Sequence, residues 1–175
     1  MSTQIIEQLK QSNHYAEAEE VIVDFEQKPS NEKKKLVPEL ARLLENGRIN
    51  ELVRSRAAEL LGVSAAEVAR KTLLTQLRRE KSGLVRGRIA LALARNFKGD
   101  EVAEAIIEQF KDEPSVMVRR IMSRALIETE SSVAFKELLL LINEPDEKIR
   151  DQVIQALGKR QVAEAAPLLI ERLDK

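Results

Sequence analysis

The sequence predicts an all-α chain that folds as an α-solenoid of about five stacked helix pairs, of which the first is degenerate. Two observations predict this class. Ala, Glu, Lys, Leu and Arg make up more than half of the 175 residues, a composition typical of long helices and helical repeats. One short motif also recurs at a nearly constant spacing, which indicates a repeat architecture. With no Cys and only 3% aromatic residues, the chain fits neither a disulfide scaffold nor a β-sandwich.

The recurring motif centres on an arginine near the start of a predicted helix. The arginines, 31–33 residues apart, are Arg54, Arg86, Arg119 and Arg150. The leucines seven residues after them are Leu61, Leu93, Leu126 and Leu157. With the apolar residues one before and three after each arginine, these leucines form a single stripe on a helix of 3.6 residues per turn. We expect the leucines to be core and the arginines to join successive repeats, a ladder of ligand-binding cations being the alternative.

A residue that favours the helix N-cap stands four positions before each repeated arginine. These caps are Asn50, Ser82, Ser115 and Asp146. A second apolar-striped segment follows in each repeat, so each repeat is predicted to be a helix pair. Gly62 and Gly158 are predicted to close their helices as left-handed C-caps. Ser64 and Glu67 are predicted to open the next helix as a capping box.

Residues 1–49 depart from the motif and are predicted to be N-terminal capping helices, because a terminal repeat lacks one neighbour. A degenerate helix pair interrupted at Pro29 and Ser30 is expected there, with a short leading helix before it. The repeats are then assigned to residues 50–81, 82–114, 115–145 and 146–175. The chain is treated as a single domain, since no Gly/Ser-rich or Pro-rich linker divides it.

The motif resembles that of the HEAT-like repeat family in its short bacterial and archaeal form, whose unit runs from an acidic cap through Val-Arg and small residues to Ala-Leu-Gly. The best match is DEKIRDQVIQALG at residues 146–158. The resemblance implies a non-catalytic scaffold or adaptor that binds a protein or peptide on its surface. This repeat type is also similar to the repeats of phycobilisome lyases, so a phycobilin lyase-like accessory role is kept as an alternative.

An apolar run in one second helix indicates a binding surface. Residues 138–142 read LLLLI, and Leu140 and Leu141 stand where the other repeats have polar residues. Five consecutive apolar residues cover the whole circumference of a helix, so these two leucines are expected to leave the buried stripe. They are predicted either to be covered by a neighbouring segment or to contact a partner or a second copy of the chain.

Charge is distributed unevenly although it sums to zero: −2 over residues 1–50, +7 over residues 51–99 and −5 over residues 100–175. The basic residues taken as candidate partner contacts are Arg70, Lys71, Arg78, Arg79 and Arg88. They are either solvated helix faces or a track that attracts an anionic partner. Sequence-independent nucleic-acid binding is a further alternative, which the absence of Trp and the acidic segment that follows disfavour.

The composition gives little support for a catalytic function. One histidine, His14, and no cysteine leave no Cys/His nucleophile pair and no ordinary zinc site, and no Gly-rich phosphate loop is present. The chain is predicted not to be an enzyme and to need no cofactor or metal. It is also predicted to be cytoplasmic, because no apolar run is long enough for a membrane span and residues 1–10 lack a signal-peptide pattern.

Overall fold

The repeated segments become helical at the residue after each predicted cap. In the computed structural model, which describes residues 2–11, 15–159 and 170, all four cap side chains accept a hydrogen bond from a backbone N–H group of the first turn. The helices are α1 (Ser2–Gln11), α2 (Tyr15–Gln27), α3 (Ser30–Glu45), α4 (Glu51–Val63), α5 (Glu67–Arg79), α6 (Gly83–Asn96), α7 (Asp100–Lys111), α8 (Val116–Glu128), α9 (Ser132–Leu140) and α10 (Glu147–Lys159). A 3₁₀ turn, Leu141–Asn143, lies between α9 and α10.

The helices stack in two layers and form an all-α solenoid. The first-helix layer contains α2, α4, α6, α8 and α10, and the second-helix layer contains α3, α5, α7 and α9. From α3 onward each helix also packs against the next one in sequence, which joins the two layers, while α1 packs on α2, α3 and α4. Every described helix falls short of the length and apolar character needed to cross a bilayer. His14 and the predicted second helix of the last repeat lie outside the described residues, except for Ile170.

The core of the solenoid lies between the layers. The leucines of the motif are all buried there: Leu61, Leu93, Leu126 and Leu157. The helices of the first-helix layer also use small residues to approach one another, and α4 and α6 bury most of their surface. Such short helices are marginal alone, so their stability comes from packing against neighbouring repeats.

Two predicted helix closures are wrong, because both glycines lie inside their helices. The helix α4 continues through Gly62 to Val63, and α10 continues through Gly158 to Lys159. A Cβ at Gly62 would lie 3.0 Å from the carbonyl oxygen of Ala92 in α6, whereas a Cβ at Gly158 would meet no atom of the described residues within 4 Å. The absence of a side chain at Gly62 therefore allows α4 to approach α6 closely.

The predicted capping box is also not formed. The helix α5 begins at Glu67, and its N-cap residue Ala66 gives its first turn no side-chain cap. Ser64 instead ends α4, and its hydroxyl donates to the carbonyl oxygen of Leu61 at 2.6 Å. The chain then turns at Ala65, whose φ of 49° lies in the left-handed region. Ser64 is used by the helix before it because this turn separates it from the helix after it.

Replacing Gly62 with valine should lower the free energy of unfolding by about 1–3 kcal/mol, because the added side chain forces α4 away from α6. The matched control is Gly158→Val, which also replaces a helical glycine but contacts nothing in the part of the chain that the structure describes, and should change stability by no more than about 0.5 kcal/mol. Urea unfolding followed by circular dichroism measures both. Equal effects of the two substitutions would contradict the assigned role of Gly62.

An ion pair holds the start of α10 against α8. Arg120 donates from Nε and Nη2 to the two carboxylate oxygens of Asp146, at 2.9 and 2.6 Å. This pair of hydrogen bonds lowers the pKa of Asp146 to about 2; burial opposes the shift, and the backbone N–H of Ile149 adds to it. The carboxylate is thus both the N-cap of α10 and the partner of Arg120.

The lowered pKa of Asp146 makes stability depend on pH in the acid range. The folded carboxylate stays ionised below the unfolded pKa of about 3.9. Its contribution is therefore complete at neutral pH and is lost as pH falls from about 4 through about 2. We expect the difference in unfolding free energy between wild type and Asp146→Asn to shrink over this window in urea titrations. A difference that is constant from pH 6 to pH about 2 would contradict the Arg120 contact.

Candidate partner-binding surface

The repeated arginines attach each repeat to the one before it. Arg54 donates from Nε to the carbonyl oxygen of Leu44, in the last turn of α3, at 3.0 Å. The other three donate to carbonyls near the end of the preceding second helix: Arg86 to Glu80 and Lys81, Arg119 to Phe110, and Arg150 to Glu144 and Pro145. The last carbonyls of a helix lack intrahelical partners and carry partial negative charge, so a guanidinium group is favourable there.

A glutamate two residues before the next cap completes each of three arginine sites. The pairs are Arg54–Glu80, Arg86–Glu113 and Arg119–Glu144. Glu80 and Glu113 are buried, and each also accepts the backbone N–H of the following cap residue, at 2.8 and 3.0 Å. These glutamates were not among the predicted residues, although the triplets EKS, EPS and EPD, each of which ends at a cap residue, repeat in the sequence. These charges are engaged in internal contacts of the solenoid.

The candidate basic residues do not lie on one track. Arg70, on α5, pairs with Glu67 and with Glu101 of α7. Arg78, also on α5, lies with its Nε 3.2 Å from a carboxylate oxygen of Glu108 on α7. The acidic helix α7 thus packs beside α5, and its glutamates neutralise part of the basic group. These two arginines contact the next repeat.

Arg88 lies apart from the other candidate basic residues. It is carried by α6 and therefore belongs to the first-helix layer, whereas the others are carried by α5 in the second-helix layer. Its side chain lines a cavity of about 120 Å³ together with Glu26, Glu59 and Arg95. Two cations and two carboxylates line this cavity, so it offers no surplus positive charge to an anion.

Lys71 and Arg79 remain exposed on α5, and neither forms an ion pair within the described ranges. Arg79 also lines an open groove of about 780 Å³ at the edge of the solenoid, together with Lys81, Glu45 and Glu51. The paired residues Arg54 and Glu80 line it as well, so three cations and three carboxylates face this groove and give it a mixed polar character. Lys71 and Arg79 are therefore the members of the predicted basic group that stay available on the second-helix layer.

Leu140 and Leu141 differ in burial, and the expectation that both leave the buried stripe is wrong for Leu141. Leu140 is 67% exposed, whereas Leu141 is 6% exposed. The buried stripe runs through Leu138, Leu141 and Ile142, a spacing of three and four residues that keeps them on one side of α9 and the 3₁₀ turn. Leu140 alone points away from the core, at the position where α5 has Thr75 and α7 has Glu108.

In the part of the chain that the structure describes, no three acidic or histidine side chains converge as metal ligands. The buried carboxylates, Glu80 and Glu113, are each engaged by an arginine and a backbone N–H group. The arrangement therefore presents surfaces for contact, with Leu140, Lys71 and Arg79 exposed on the second-helix layer.

Comparison with known proteins gives two similarities. Residues 103–175 match a family model described as HEAT repeats. Among solved structures, the chain resembles the crystal structure of an engineered protein from the Northeast Structural Genomics Consortium, with 19% sequence identity and a TM-score of 0.49, over 89% of this chain and 77% of that chain. No curated protein matches the sequence. The family match includes the motif copies around Arg119 and Arg150.

Proposed function

Because residues 103–175 match HEAT repeats, we propose that the chain is a non-catalytic HEAT-like scaffold that binds another protein or a peptide on its second-helix layer, with Leu140 at the centre of the contact. The observation that carries this proposal is the exposure of Leu140, 67%, at a position occupied by Thr75 and Glu108 in the equivalent helices α5 and α7. Covering a leucine of this exposure removes apolar surface from water, which favours association.

The surroundings of Leu140 support a protein partner. Leu139, next to Leu140 on α9, is partly buried against the core, so apolar surface continues from Leu140 toward the core. Charged side chains border this surface, with Lys111 of α7 paired to Glu137 of α9. An apolar centre with a charged rim is typical of protein interfaces. A phosphate backbone would instead need a continuous row of unpaired cations, and Arg70 and Arg78 are already paired.

A photo-crosslinking residue placed at position 140 tests the proposal in cells of the source organism. We expect a specific protein to be crosslinked from position 140. The matched control is position 117, since Met117 is also 67% exposed but lies on α8 in the first-helix layer. No crosslinked protein, or the same set of proteins from both positions, would contradict the proposal.

The substitution Leu140→Glu tests the same surface by charge. Because Leu140 is exposed, the thermal unfolding midpoint should stay within about 2 °C of wild type. The crosslinked or co-purified protein should be lost, because the partner's apolar surface would then have to cover a carboxylate. Retained binding, or an unfolded variant, would show that Leu140 is not a partner contact.

A further inference from the structure

Neighbouring helices of the second-helix layer carry opposite charges at equivalent positions. The helix α5 carries four basic side chains and one acidic side chain, whereas α7 carries four acidic side chains and one basic side chain. The repeat offset of 33 residues places Lys71 in register with Glu104, and Arg79 in register with Asp112. All four side chains are exposed, and none forms an ion pair within the described part of the chain.

The remaining charges of this surface are already paired inside the molecule. Arg70 with Glu101, and Arg78 with Glu108, bridge α5 and α7 across the seam between them. They fix the two helices side by side. Lys71 and Arg79 then form a positive pair on α5, and beside it Glu104 on α7 and Asp112 at the C-cap of α7 form a negative pair.

A second copy of the chain complements this pattern. The helices α5 and α7 run in the same direction in one layer. Consider a two-fold axis that lies in the exposed surface, parallel to both helices and midway between them. Rotation about this axis places α5 of one copy over α7 of the other. Residues in register lie at the same height along that axis. Lys71 of each copy would then face Glu104 of the other, and Arg79 would face Asp112.

We propose that the chain forms a two-fold symmetric dimer through the exposed faces of α5 and α7. The charge pattern favours a second copy over a different partner, because a uniformly acidic protein would be repelled by α7 and a uniformly basic one by α5. The contact is isologous and therefore closes at two copies. This inference rests on the proposed function only in that both place a protein partner on the second-helix layer.

Exposed ion pairs are individually weak and are screened by salt, so the dimer is expected to dissociate as ionic strength rises. Sedimentation equilibrium of the purified full chain tests this. At about 0.02 M salt we expect a species of twice the 19.8 kDa monomer mass, and at about 0.5 M salt the monomer. Monomer alone at both salt concentrations, at protein concentrations up to about 1 mM, would overturn the proposal.

Charge reversal distinguishes this surface from any other. Lys71→Glu and Glu104→Lys should each weaken the dimer at least about tenfold at low salt, because each places like charges opposite one another twice. The double variant exchanges the signs and should restore the affinity. A matched control is Lys148→Glu, an exposed lysine on α10 in the other layer, which should leave it unchanged. A double variant as weak as either single variant would overturn the proposal.

The two proposals fail separately. The mass of the pure protein reports only on the dimer, whereas crosslinking from position 140 in cells reports on a different protein. A monomeric chain that still crosslinks another protein overturns the dimer alone. A salt-sensitive dimer with no other protein crosslinked from position 140 overturns the scaffold proposal alone.

Discussion

Replacing Leu126 with alanine should lower the free energy of unfolding by about 2–5 kcal/mol. Leu126 is 1% exposed in α8, which packs against helices of both layers: α6, α7, α9 and α10. The substitution removes three buried carbon atoms and leaves a cavity that these neighbours can fill only in part, because each is also held by its other packing contacts. Leu157→Ala is expected to have a similar effect at α10. Urea unfolding monitored by circular dichroism at 222 nm measures both.

A control on the same helix separates core packing from a general effect of substitution in α8. Met117 is in the first turn of α8 and is 67% exposed, so Met117→Ala should change the unfolding free energy by less than about 1 kcal/mol. A loss below about 1 kcal/mol for Leu126→Ala would mean that the motif leucines are not the core. The assignment of the apolar stripe would then be wrong.

The fold could be predicted from sequence because its determinants are local and repeated. A cap such as Asn50 fixes where a helix begins, and a leucine such as Leu61 fixes which side of that helix is buried. Both signals occur within one turn or two of the arginine, and four copies reinforce them. Helix ends were predicted less well, since Gly62 is used for contact with Ala92 of another repeat. That use depends on the distance between helices, which no local pattern specifies.

The candidate surface was predicted only in part, because it depends on which helices become neighbours. The basic residues Arg70 and Arg88 are close in sequence, but the alternation of layers places them on different layers of the solenoid. The acidic residue Glu101 lies in another repeat and yet pairs with Arg70. Leu140 was identified correctly as departing from the buried stripe, whereas Leu141 was not, since it lies three residues after Leu138 and therefore on the same buried side.

Removing the charge of Glu80 should lower the free energy of unfolding by about 3–5 kcal/mol, because it leaves a buried guanidinium group without its counter-charge. The side chain of Glu80 is 1% exposed and that of its partner Arg54 is 7% exposed. Glu80 also accepts hydrogen bonds from the Gln76 side chain at 3.0 Å and from the backbone N–H of Ser82 at 2.8 Å. The variant Glu80→Gln keeps the volume of the side chain, so the loss measured by urea unfolding reports on charge rather than packing.

A double-mutant cycle decides whether the buried pair acts as a unit. The variant Arg54→Met/Glu80→Gln removes both charges and should be more stable than the sum of the two single losses predicts, because no uncompensated buried ion remains. The exposed pair Arg78–Glu108 serves as control: the side chain of Glu108 is 58% exposed, and Glu108→Gln should cost less than about 1 kcal/mol. Additive losses at Arg54 and Glu80, or equal losses for Glu80→Gln and Glu108→Gln, would show that burial of the pair does not govern its strength. If only the buried pair shows coupling, the glutamate two residues before the cap stabilises the repeat as much as the arginine that it pairs with.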